Sequence, residues 1–156
     1  MLTVELVPAT CWWSNVRSNV SRAEWEVCKT YSKTKTKGCC IVCGGKGSRY
    51  ATEAHEIWHY DDARGIQTLI DIIPLCPMCH QVKHLGRTRE FGTKRQWERV
   101  IRHFQKTNDW PDWKVEKAVI LAFQIWELRS QREWKLDVSF LTTIGIDLTG
   151  KQLERA

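Results

Sequence analysis

The stretch Leu75-Cys76-Pro77-Met78-Cys79-His80-Gln81-Val82-Lys83-His84 places two thiols and two imidazoles close together in the chain. Proline is favoured in the first turn of a helix, so we expect a helix over about 77–85 that stops at Gly86. Residues four apart lie on one helical face, and His80 and His84 should therefore project together. Two imidazoles at this spacing are able to chelate one metal ion.

A second cysteine pair, Cys40-x2-Cys43, has the same spacing as Cys76-x2-Cys79. Four thiolates in two such pairs are typical of a tetrahedral structural zinc site. Bound zinc would contribute roughly 10 kcal/mol or more to folding. The alternative is that these cysteines are small buried hydrophobic residues, but the shared spacing favours zinc. Cys39 is an alternative ligand to Cys40, while Cys11 and Cys28 are expected in the core.

The segment between the two cysteine pairs has room for a β-hairpin. Residues 49–58 and 66–75 are rich in β-branched and aromatic residues, and turn-forming residues 61–65 separate them. The first of these strands carries His55-Glu56, which we expect beside the helix that bears His80 and His84. The predicted order is strand, strand, helix, with metal-binding side chains converging where the three meet.

Helices are predicted on both sides of this unit. Ser21 and Glu24 form a capping-box signature for a helix over 21–32. Apolar residues at helical spacing predict another helix around 97–104. Asp112 is expected to cap a long helix over about 113–134, and residues 136–148 are expected to form a strand.

These elements predict an α+β fold in a single domain over 1–156. Its core motif would span about 38–87, with helical extensions over 1–37 and 88–156. Hydrophobic residues make up 42% of the chain, enough for a packed core, which excludes wholesale disorder.

Charge is unevenly distributed along the chain, which carries 24 Lys and Arg against 18 Asp and Glu, a formal net charge of +6. Basic stretches at 29–49 and 83–106 flank an acidic one at 53–71, an arrangement that suits a metal site beside phosphates. The longest apolar run, 118–126, is well short of the about 20 residues of a spanning helix, and the start of the chain has no basic leader. We therefore expect a cytoplasmic protein without membrane contact.

Together these features resemble the HNH nucleases of the His-Me finger superfamily, whose ββα-metal motif consists of two strands and a helix. The similarity covers about Cys40 to Gly86. In many members a cysteine pair precedes a strand ending in Asp-His or His-His, and the helix opens with Leu-Cys-x-x-Cys-His, as at 75–80 here. The resemblance implies a zinc-stabilised ββα-metal core and metal-dependent hydrolysis of phosphodiester bonds, in which a general base activates water.

Two departures from the family pattern affect the catalytic residues. At the strand end, either His55 is the general base and the preceding ligand has become Ala54, or His55 binds the metal and Glu56 takes the base position. Family members usually carry an Asn about five residues before the Leu-Cys sequence. Here it is replaced by Asp71, or by Gln67 in a looser alignment. Asp71 would orient the base or contact the metal. An imidazole suits proton transfer at neutral pH, which favours His55 as the base.

The resemblance also implies one catalytic divalent ion, held by His80 and His84, that stabilises negative charge on the phosphate and the leaving group. Imidazole ligands are compatible with Mg²⁺, Mn²⁺, Ni²⁺ or Zn²⁺ in this role. The expected partner is nucleic acid, most simply double-stranded DNA, bound through its backbone by basic side chains. These are Lys33, Lys35, Lys37, Arg87, Arg89, Lys94, Arg95 and Arg99.

Other interpretations stay open at the level of sequence. A non-catalytic, zinc-stabilised DNA- or RNA-binding module would bind nucleic acid without turnover. A thiol-based redox or metal sensor needs reactive cysteines, whereas paired cysteines imply closed, inert ligation. Trp12, Trp13 and Trp58 are candidates for base stacking, although Trp is more often a core residue. The chain is compatible with a homodimer that makes paired cuts.

Overall fold

The computed structural model describes residues 1–12, 15–46 and 52–149. It combines helices with one three-stranded sheet, which confirms the α+β class. After a short 3-10 turn at Ala9–Cys11, the elements in chain order are α1 (Val16–Asn19), α2 (Arg22–Thr34), β1 (Glu53–Asp61), β2 (Ile66–Leu75), α3 (Pro77–Lys83), α4 (Leu85–Phe91), α5 (Lys94–Asn108), α6 (Asp112–Arg129), β3 (Lys135–Asp137) and α7 (Phe140–Thr143).

The hairpin of β1 and β2 is the centre of the fold. Its strands pair antiparallel from Glu53 opposite Leu75 to Asp61 opposite Ile66, with a bulge after Ile57. The Asp61 carboxylate accepts backbone hydrogen bonds within the turn, which makes the reversal compact. The predicted hairpin is confirmed, although β1 begins later than expected, and positions 49–51 lie outside the described residues.

Two apolar clusters pack against the hairpin. Neighbouring residues of a strand point to opposite faces, and Ile73 accordingly joins one cluster while Ile72 joins the other. The first cluster includes Val82, Val100 and Phe104 of the helices that follow the hairpin. The second contains residues of α2 and of the C-terminal segment, which places α2 against β2. The site described below lies on the side of the first cluster.

Helix α2 begins as the sequence predicts. Ser21 accepts a hydrogen bond from the Glu24 backbone, and the Glu24 carboxylate accepts one from the Ser21 backbone N–H, at 2.8 Å. This reciprocal capping satisfies two backbone donors that would otherwise lack partners.

The expectation that one helix runs to residue 85 and stops at Gly86 is wrong. Helix α3 ends at Lys83, because the backbone of His84 leaves the helical conformation, and α4 begins at Leu85. Gly86 therefore lies inside α4. A Cβ at this position would lie 3.3 Å from Leu6, so the glycine serves close packing of the N-terminal segment instead of ending a helix.

Two further boundaries differ from expectation. Helix α6 starts at Asp112, so Asp112 is its first residue, and the N-cap position is held by Pro111 without a side-chain hydrogen bond. Of the predicted terminal strand, 136–148, only positions 136 and 137 are extended. They belong to β3, which pairs in parallel with β2, and α7 follows it. In the described ranges no helix has both the length and the apolar character needed to cross a membrane.

The N-terminal segment runs across the helices instead of forming a helix of its own. The backbone of Leu2 both donates to and accepts from the Asn108 side chain, at 2.8 and 2.9 Å. Further along, the Glu5 N–H donates to the Lys83 carbonyl at 3.0 Å, and Trp126 donates to the Val7 carbonyl at 2.9 Å. These contacts fix Glu5 beside α3.

Replacing Asn108 tests this attachment. Asn108→Ala removes both partners of the Leu2 backbone and is expected to lower the free energy of unfolding by about 1–3 kcal/mol, measured by urea denaturation. Asn108→Asp keeps the acceptor but loses the donor and should fall between Ala and the natural residue. Equal stability of all three proteins would show that the attachment contributes nothing.

Candidate functional site

The four cysteines of the two pairs come together at one end of the hairpin. The Sγ atoms of Cys40, Cys43, Cys76 and Cys79 all lie within 4.8 Å of one another, and Cys43 and Cys76 are 3.7 Å apart. Tetrahedral zinc with bonds of about 2.3 Å would hold sulfur atoms about 3.8 Å apart. The cluster therefore fits a structural zinc ion, and Cys40, not Cys39, is its first member.

Local backbone structure presents these thiols to one point. Gly44, at a φ of +69°, turns the chain so that its N–H donates to the Cys40 carbonyl. The Ile41 N–H donates to Pro74 at 3.0 Å, which joins the first pair to the end of β2. Cys76 is the N-cap of α3, and its sulfur accepts from the Cys79 N–H at 3.5 Å.

The electrostatics of the thiol cluster favour a bound cation. Hydrogen bonding with Cys79 lowers the pKa of Cys40 to about 4, and the same interaction raises the pKa of Cys79. Without a cation, the first thiolate opposes ionisation of its neighbour, whereas a bound divalent ion would favour thiolates at all four positions. The Nε2 atom of His103 lies 3.2 Å from the Cys79 sulfur and is placed to donate to a thiolate.

A second cluster contains the three imidazoles of His55, His80 and His84. Their ring centroids are separated by 5.1, 4.9 and 4.7 Å, and one ring nitrogen of each lies within 4.8 Å of those of the other two. His55 comes from β1, while His80 and His84 come from α3 and its C-terminal cap. Strand and helix thus converge as expected, and this donor set fits a divalent transition-metal ion.

Carboxylates contact two of these imidazoles from outside the cluster. The Glu53 carboxylate contacts His80 Nδ1, and the Glu5 carboxylate lies 3.3 Å from His55 Nε2. Burial acts to raise the pKa of Glu5, but the hydrogen bond with His55 and the charge of Lys83 outweigh it and lower the pKa to about 2. Carboxylates in such positions orient imidazole rings and fix their tautomers.

Burial favours the neutral form of two of these imidazoles, those of His84 and His55. It lowers the pKa of His84 to about 3, with the neighbouring rings adding to the shift. Burial also lowers the pKa of His55, partly opposed by the hydrogen bond to Glu5. Neutral rings keep a lone pair for a metal or a proton.

Glu56 lies on the opposite side of β1 from His55. Its carboxylate accepts from the Arg17 backbone N–H at 3.3 Å and from Trp58 Nε1 at 3.2 Å. Burial raises the pKa of Glu56 to about 7, despite these hydrogen bonds. Because successive strand residues point to opposite faces, His55 faces the imidazole cluster and Glu56 does not, so the structure does not bring Glu56 to the predicted base position.

Asp71 is engaged with α2. Its Oδ1 atom contacts the Lys35 ammonium group and accepts from the Tyr31 hydroxyl at 3.3 Å. The structure therefore places Asp71 and Lys35 in one ion pair. Base orientation or metal contact by Asp71, and phosphate binding by Lys35, stay predictions. Gln67, the alternative position, contacts the Tyr60 hydroxyl instead.

The remaining predicted nucleic-acid-binding residues lie on three helices and one turn. Arg89 is exposed, but its guanidinium group lies 4.5 Å from the centroid of the Phe123 ring. The others are also exposed: Lys33, Lys37, Arg87, Lys94, Arg95 and Arg99. Of the tryptophans, Trp58 packs in the second apolar cluster, Trp12 is 53% exposed, and Trp13 lies outside the described residues.

Sequence reasoning missed three residues that complete the two clusters: Glu5, Glu53 and His103. Glu53 could have been predicted, since it lies two residues before His55 and therefore on the same face of the strand. For His103 the only sequence signal was its position on a helix with a recognisable apolar face, one helical turn after Arg99. Glu5 offered no local signal, because its position depends on contacts with distant helices.

Comparison with known protein families identifies the segment that carries both clusters. Residues 40–86 match the family model described as HNH endonuclease, which confirms the resemblance seen in the sequence. No curated protein and no solved structure gives a significant match to the chain.

Substitution of adjacent cysteines tests the zinc assignment. Cys40→Ser is expected to lose the zinc and, with it, the cooperative thermal transition, because metal binding is coupled to folding. Cys39→Ser, one residue away and outside the cluster, should retain one zinc per chain and a nearly unchanged melting temperature. Elemental analysis and thermal denaturation measure both quantities. Retention of zinc by Cys40→Ser would contradict the assignment.

Proposed function

We propose that this protein is a metal-dependent endonuclease that hydrolyses phosphodiester bonds in double-stranded DNA. The observation that carries the proposal is the convergence of three imidazoles beside a four-cysteine cluster, in the segment that matches the HNH endonuclease family. Members of this family act on nucleic acid, and the chain has a net charge of +6.

The residues divide into three roles in this proposal. The four cysteines hold a structural zinc ion that fixes the start of α3 against the hairpin. His80 and His84 hold one catalytic divalent ion, Mg²⁺, Mn²⁺, Ni²⁺ or Zn²⁺. When bound, this ion would supply Lewis-acid stabilisation of the negative charge that develops on the phosphate and the leaving oxygen.

His55 is the proposed general base. Its neutral ring takes a proton from the attacking water as the new P–O bond forms and the bond to the leaving sugar oxygen breaks. The Glu5 carboxylate stabilises the positive charge that the ring then acquires. Glu56 takes no part, because it lies on the other face of β1.

Exposed basic residues of α4 and α5 are the proposed contacts to the phosphate backbone. Arg95 and Arg99 are four residues apart and lie on the same face of α5, where they would contact one strand. A cytoplasmic location, where thiols stay reduced, and a homodimer remain predictions from the sequence.

Variants of the imidazole cluster test catalysis with supercoiled plasmid in a series of divalent ions. His55→Ala is expected to reduce nicking by about 10²–10⁴-fold while metal binding persists, because it removes only the base. His84→Ala should lose both metal binding and nicking. The exposed His59→Ala and the opposite-face Glu56→Gln serve as controls and should nick like the natural protein.

Each outcome of this assay assigns a role. Loss of metal binding in His55→Ala would make His55 a third ligand. Nicking by His55→Ala and His84→Ala at the natural rate, or resistance of the activity to EDTA, would refute the nuclease proposal.

Salt dependence tests the phosphate contacts of α5. The double variant Arg95→Gln, Arg99→Gln is expected to reduce the slope of log affinity against log salt by about 2, since each phosphate contact contributes about 0.9. Lys117→Gln, an exposed change on α6, is the control and should leave the slope unchanged. Fluorescence anisotropy with labelled duplex DNA measures the affinities. An unchanged slope in the double variant would remove α5 from the interface.

A further inference from the structure

The N-terminal segment contributes a carboxylate to the imidazole cluster. Glu5 lies outside residues 40–86, and its Oε2 atom is 3.3 Å from His55 Nε2. His55 is only 4% exposed, so water has little access to replace this partner. The contact joins two residues that are fifty positions apart in the chain.

The surroundings of Glu5 determine the direction of this hydrogen bond. Its second oxygen, Oε1, contacts the ammonium group of Lys83, which also donates to the Thr3 hydroxyl at 2.9 Å. A carboxylate paired with an ammonium group is ionised and only accepts hydrogen bonds. The proton therefore lies on His55 Nε2, and in the neutral ring Nδ1 carries the free lone pair.

We propose that Glu5 is a positioning residue that holds His55 as the Nε2–H tautomer and leaves the free lone pair on Nδ1. The part of this inference that concerns turnover rests on the proposed nuclease function. The tautomer itself does not, since it follows from contacts within the chain.

Lys83 anchors the carboxylate. It is 4% exposed and lies on α3 between His80 and His84, so the same short helix carries the metal-binding imidazoles and the cation that holds Glu5. The Glu5 N–H also donates to the Lys83 carbonyl at 3.0 Å. Backbone and side-chain contacts together fix the distance between the N-terminal segment and the helix.

The ring-nitrogen chemical shifts of isotopically labelled histidine test the tautomer in the full chain without nucleic acid. The five histidines are few enough to assign with single variants. After chelation that leaves one zinc per chain, the natural protein and Lys83→Met should both show His55 as the Nε2–H tautomer. The double variant Glu5→Leu, Lys83→Met, which avoids leaving a buried ammonium group unpaired, should lose this preference.

The same variants are then compared in the plasmid assay. The double variant is expected to nick about 10–100-fold more slowly than Lys83→Met, with unchanged metal binding, because the ring is no longer held in one tautomer. Glu5→Gln retains an acceptor oxygen without charge and should keep the tautomer while losing part of the rate. His59→Ala, an exposed change on β1, is the control and should keep both the tautomer and the rate.

Three results would overturn the inference: an unchanged His55 tautomer in the double variant, a nicking rate in the double variant equal to that of Lys83→Met, or the same tautomer loss in His59→Ala. If the natural protein does not cut DNA with any metal, the proposed function fails. The chemical shifts still decide whether Glu5 sets the tautomer.

Discussion

The four-cysteine cluster is the constraint on which the rest of the molecule depends. It joins the loop before β1 to the first turn of α3, and thereby closes the hairpin into a unit of two strands and a helix. Within this unit the direction of α3 relative to β1 is set, and the imidazoles of His80 and His84 meet that of His55. The catalytic proposal therefore depends on the geometry of the four-cysteine cluster, which a bound zinc ion would stabilise.

Charge around the imidazoles is arranged in layers. Three imidazole rings lie at the centre, and two carboxylates contact them from outside, one from β1 and one from the N-terminal segment. The buried ammonium group of Lys83 compensates the more enclosed carboxylate. Oppositely charged groups next to a metal-binding cluster hold its ligands in orientation before any ion or substrate arrives.

Much of the fold and part of the site could be predicted because their signals are local. Three such signals extend over only a few residues each: the repeated cysteine spacing, the capping box at Ser21 and the residue pattern of the two strands. The prediction that Gly86 ends a helix was wrong because this glycine serves a close contact with Leu6, which is eighty positions away in the chain. Glu56 could have been separated from His55 by the two-residue period of a strand. Glu5 could not have been found, since a lone acid in an extended segment has no pattern.

The parallel pairing of β3 with β2 has a consequence for how the chain is assembled. Ile66 lies beside Lys135, so the sheet gains its last strand only after α3 to α6 have been synthesised and folded back. Contacts between such distant positions form late and slow folding, because the intervening chain must first be ordered. The hairpin and α3, by contrast, are joined by the four-cysteine cluster over residues that leave the ribosome close together. A nascent chain can therefore assemble the hairpin and α3 before β3 pairs with the edge of the sheet.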